Sequence, residues 1–83
     1  MEREQIEKEF KKIDYELRIN KPKVIPYPPD VVKRRTFLLF AQVHLCNILD
    51  HKAKKDKCKE RFETDMYRIV MDTYYNWDRN ERR

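Results

Sequence analysis

The sequence predicts an all-α protein, a three-helix bundle with a Pro-rich strap between helices 1 and 2, which self-associates. Three observations carry this reading. Apolar residues recur at spacings of three and four in three separate segments, all four prolines fall between residues 20 and 30, and glycine is absent from the 83 residues. The spacing is that of helices burying one side, and the prolines mark a stretch that no helix crosses. The missing glycine removes the residue on which most left-handed turns, strand bulges and phosphate-cradling loops rely. With 42% charged and 40% hydrophobic residues, the chain divides into polar faces and apolar stripes, unlike a disordered sequence. Its length sets one domain, 1–83, whose burial on folding is limited unless packing is good or chains associate.

Helix 1 is expected over about 2–19. Ile6, Phe10, Ile13 and Leu17 lie at spacings of four, three and four, on one side of a helix whose other faces are charged. Glu2 and Glu4 complement the dipole at its start, and Asp14 and Arg18 form one of three i,i+4 pairs in the favourable order.

Residues 20–30 form the connector. Pro22, Pro26, Pro28 and Pro29 hold it extended or in polyproline II, and Val24, Ile25 and Tyr27 between them predict a strap lying along the bundle surface. Pro26 and Pro29 also satisfy the PxxP spacing, a weak signal for docking to a groove-type domain.

Helix 2 is expected over about 31–54, with Asp30 as its N-cap. Ten of the thirteen residues from Phe37 to Leu49 are apolar, and they surround the helix. Phe37, Leu38, Ala41, Leu45, Ile48 and Leu49 make one broad stripe; Val32, Leu39, Val43 and Cys46 make a second on the opposite side. A helix with two apolar faces needs two neighbours. The second stripe is therefore the expected self-association or partner surface.

Amphipathicity lapses between Asp50 and Lys59, which leaves two readings. In the preferred one a turn near 52–56 folds helix 3 back on helix 2, with Asp56 as N-cap; in the other a single helix runs from about 31 to 77 and is stable only inside an oligomer. Helix 3, about 57–77, lines up Cys58, Phe62, Met66, Ile69, Val70, Thr73 and Trp77 as its apolar face. The charged tail 78–83 is expected to fray.

Positive charge gathers in two places. Five cations against Asp30 give 21–36 a net +4, and six against Asp56 and Glu60 give 52–61 the same. The lysines near the end of helix 2 suit its dipole, but Lys33, Arg34 and Arg35 sit in a first turn where cations are disfavoured. They are the expected polar contact to an acidic partner or to phosphates.

A basic helical nucleic-acid-binding protein is the alternative reading, with Tyr67, Met71, Tyr74 and Tyr75 as a possible aromatic contact surface beside Arg68 and Arg79. The bland account of those tyrosines is packing against helix 1, the strap or a second subunit. An apolar helix 2 does not suit a nucleic-acid groove.

Serine and glycine are both absent, so no serine nucleophile and no glycine oxyanion turn is available, and no enzyme, cofactor or small-molecule substrate is expected. His44, Cys46, His51 and Cys58 lack metal-site spacing, and no metal is expected there. His44 reads instead as a polar residue at an apolar interface, partnered with Gln42 or Asn47 from another helix. The charged start has no secretory apolar region and the run 37–49 is too short to span a bilayer, so a cytoplasmic protein without membrane contact is expected, its two cysteines reduced. The expected role is a non-catalytic protein-binding module: an oligomerising adaptor, a small subunit, or an inhibitor of a larger protein.

Overall fold

In the computed structural model the chain folds as three helices, α1 (Arg3–Ile19), α2 (Pro29–Ala53) and α3 (Lys57–Glu81), with no strand among the described residues. Residues 1–21, 23 and 25–81 are described; Pro22, Val24, Arg82 and Arg83 lie outside them, and with them the strap role of Val24 and the end of the tail. Arg35 near the start of α2 bonds the Leu17 carbonyl near the end of α1, and Arg34 pairs with Asp78 near the end of α3. The helices thus run up, down and up, with α2 antiparallel to both neighbours.

The α1 stripe packs as its spacing predicts. Ile6 and Ile13 are fully buried, and Phe10 and Leu17 pack against the core at its margin. Asn20 closes the helix end, its side chain and its backbone N–H both donating to the Glu16 carbonyl. In the connector Ile25 is exposed and the Tyr27 ring lies 5.7 Å from the Arg35 guanidinium.

α2 begins two residues earlier than expected. Pro29 occupies its first position, where a missing N–H leaves no bond unmade, so Asp30 lies within the first turn and Pro28 stands at the cap position. Leu38, Ala41, Leu45 and Ile48 are fully buried, flanked by Phe37 and Leu49. The broad stripe is the centre of the core.

A turn separates α2 from α3, which rules out the continuous helix. The Asp56 N–H reaches the His51 carbonyl at 2.9 Å and the Lys55 N–H reaches the Lys52 carbonyl at 3.2 Å, the paired bonds of a Schellman ending. Such an ending needs one left-handed residue, ordinarily glycine; here Lys55 takes it, with φ 57°. Asp56 then caps α3, its Oδ1 accepting from the Lys59 N–H at 3.1 Å.

The apolar face predicted for α3 is largely wrong. Thr64, Tyr67, Met71 and Tyr74 are its buried residues, while Cys58, Phe62, Ile69 and Thr73 are exposed; only Met66, Val70 and Trp77 of the predicted set are partly covered. The inner face belongs to residues with polar ends because α1 supplies the acceptors: Tyr67 donates to Glu9 at 2.5 Å and Tyr74 to Glu16 at 2.7 Å. Residues 78–81 do not fray, since α3 continues to Glu81 and Asp78 is held by Arg34.

Candidate protein-binding surface

Packing α1 and α3 against one side of α2 leaves its other side uncovered. Val32 and Leu39 are each 48% exposed, Val43 is 54% exposed and Cys46 is exposed as well, so all four residues of the predicted second stripe lie on the outer surface. Phe40, 58% exposed, joins them. Its place 60° around the helix from Val43 was the available signal, although it falls between the two predicted stripes. Thr36, Leu39, Phe40 and Val43 line an open hollow of about 270 Å³.

The surface extends onto α3. Pairing of Arg34 with Asp78, His44 with Glu63 and Lys52 with Glu60 puts Phe40 close to the level of Val70. Glu63 and Trp77 meet His44 and Phe37 of α2, and exposed Ile69 and Phe62 lie further round α3, away from the tyrosines bonded to α1, so both flank the Phe40 side, Phe62 about two turns along. Both helices therefore contribute to one apolar platform. His44 stands at its margin, with Nδ1 2.6 Å from Glu63 Oε2, so its partner is a carboxylate on α3 and not Gln42 or Asn47.

The basic cluster at the start of α2 is mostly occupied within the chain. Arg34 bonds Asp78 and, at 3.4 Å, the Tyr74 hydroxyl, and its guanidinium lies 5.2 Å from the Trp77 ring. Burial opposes its charge, yet these bonds together hold its pKa above the ordinary guanidinium value. Arg35 donates to Leu17 at 2.7 Å. Lys33 is exposed, with its Nζ 5.3 Å from the Trp77 ring. As a polar contact for a partner, the trio is reduced to Lys33; Arg34 and Arg35 hold the bundle together.

The expected aromatic contact surface is internal. Tyr67, Met71 and Tyr74 are buried and Tyr75 is half-covered beside Lys12, whose Nζ lies 4.9 Å from its ring. Burial pushes the Tyr74 phenol up to about 12, with the bond to Glu16 adding and Arg34 opposing. Tyr67 is raised too, by burial and then by its bond to Glu9. Tyr67, Met71 and Tyr74 so placed offer no free face for stacking on bases.

Lys52, Lys54 and Lys59 of the second basic cluster meet Glu60, Asp50 and Asp56. Cys46 and Cys58 are free. Among the described residues no helix is long and apolar enough to cross a membrane. Comparison of the chain with protein-family models, with curated proteins and with solved structures gives no match. The fold and the surface thus define a class, an all-α three-helix bundle with one face of its central helix uncovered.

Proposed function

We propose that the chain is a non-catalytic protein-binding module: an oligomerising adaptor, a small subunit, or an inhibitor of a larger protein. One observation carries this reading. Val32, Leu39, Phe40 and Val43 form an exposed apolar row on a helix whose opposite side is already fully buried. A contiguous exposed patch of large apolar side chains favours an interaction surface, because covering it displaces water at a gain of about 25 cal/mol per Å². The exposed free thiols of Cys46 and Cys58 fit a reducing compartment, and we place the protein in the cytoplasm.

Tagged wild-type chain and Val43→Glu, incubated with extract of the native source and with a differently tagged copy, test the reading. The wild type should retain a protein that the variant loses, while circular dichroism and melting of the variant stay unchanged. A wild-type chain that captures nothing and remains monomeric at about 100 µM would remove the proposal.

A further inference from the structure

We infer that the occupant of the uncovered α2 face is a second copy of this chain, docked antiparallel about a two-fold axis passing between Ala41 and Gln42. The inference rests on the protein-binding reading above and specifies its partner.

The argument is self-complementarity. A two-fold interface brings one surface against itself turned end for end, so each residue must tolerate the residue at the mirrored position. Turned about that axis, Phe40 comes level with Val43 of the second copy, Thr36 with Asn47 and Lys33 with Asp50. Phe40 and Val43 thus meet at the centre, the Leu39 and Val32 side chains come level with the imidazoles of His44 and His51, Thr36 and Asn47 meet as neutral polar groups, and at the ends Lys33 comes level with Asp50, whose other neighbour is Lys54 of its own chain; Lys33, Thr36 and Asp50 are all exposed. A parallel arrangement would instead set Lys33 against Lys33 and Asp50 against Asp50. Antiparallel docking also opposes the two helix dipoles.

The flanking helix adds to the same contact. Through the α2–α3 register, Ile69 arrives close to the level of Phe40 of the second copy. The row from Val32 to Cys46 is roughly 21 Å long at the helical rise. Widened by α3 to two helices, it gives each copy a footprint of roughly 400 Å², or about 800 Å² in total, below the standard size of stable interfaces. The sedimentation test accordingly reaches tens of micromolar.

Cysteine pairing reads the orientation. In a Cys46→Ser, Cys58→Ser background, which alters two exposed side chains, Thr36→Cys and Asn47→Cys are made as separate proteins. In an antiparallel dimer the two copies of position 36 are about 16 Å apart along the helix, as are the two copies of position 47. A disulfide needs Cα atoms within about 7 Å. Under mild oxidation each protein alone should remain without a disulfide, and an equal mixture should give a covalent heterodimer. Sedimentation of the wild type should show a dimer at tens of micromolar, with Val43→Glu weakening it at least about 30-fold. A disulfide in Thr36→Cys alone would overturn the orientation, and a dimer whose mixture fails to cross-link would overturn the register. A wild type that is monomeric at about 100 µM yet captures another protein through Val43 would overturn the second copy and leave the broader reading standing.

Discussion

Arg34 lies in the second turn of α2, because the helix starts at Pro29, and so stands beyond the turn where the helix dipole opposes a cation most. Its charge answers the ends of the neighbouring helices: α2 starts where α1 and α3 finish, so Arg34 meets Asp78 and Arg35 meets the Leu17 carbonyl. The sequence suggested three cations in a disfavoured first turn; the earlier helix start moves them out of it, and the partners of Arg34 and Arg35 depend on which helix ends lie together. Replacing Arg34 with Met should remove the bonds that tie the start of α2 to Asp78 and to the Tyr74 hydroxyl and lower stability by about 1–3 kcal/mol, since the pair is mostly but not wholly buried. Thermal unfolding would register a fall of several degrees. The tyrosines give a pH signature. Tyr74 is raised from 10 to about 12 and Tyr67 is also raised, so both keep their protons in the folded chain when the unfolded chain has lost them. Their contribution is complete below pH 10 and disappears as pH climbs through the folded value, about 12 for Tyr74. Denaturant titrations should show stability falling over that window, and Tyr74→Phe should flatten part of the fall.

Among the elements, α1 and both faces of α2 were legible from spacing alone, because each stripe repeats at three and four with unambiguous aliphatic and aromatic residues. α3 was misread. Cys58, Phe62 and Met66 are spaced by four and drift around the helix, whereas Thr64, Tyr67, Met71 and Tyr74 alternate three and four and hold one line. Ranking by apolar character favoured Phe62 and Ile69; the straighter row contained two tyrosine hydroxyls whose acceptors, Glu9 and Glu16, belong to another helix, and a Thr64 hydroxyl that bonds the Glu60 carbonyl of its own. The α2–α3 turn was located correctly through Asp56, while its left-handed residue had no glycine to announce it. Lys55 holds φ 57° against the preference of any residue with a Cβ. Lys55→Gly should therefore stabilise the chain by about 0.5–1 kcal/mol, raising its melting temperature without altering helix content.

For the whole molecule, the balance of apolar surface on α2 is what links fold to function. One face fills the core and the other remains bare, so the residues predicted to seek a partner are those the bundle leaves outside. Phe62 and Ile69 belong to that surface for the opposite reason: they were expected inside, and the tyrosine face displaced them. Leu39→Lys should leave monomer stability within about 0.5 kcal/mol, because the side chain is half exposed already. It should also abolish any rise of melting temperature with protein concentration, the mark of association coupled to folding.

Among the described residues no Cα of α1 lies within 8 Å of a Cα of α3; the two helices meet through side chains, Ile6 and Ile13 sharing the core with Tyr67, Met71 and Tyr74, and the bridges from Tyr67 to Glu9 and from Tyr74 to Glu16. Bridges of that kind release one helix without unwinding the other. Amides of α1 should accordingly exchange with deuterium ahead of those in the α2–α3 hairpin, making the first helix a latch that opens as a unit while the hairpin keeps its shape.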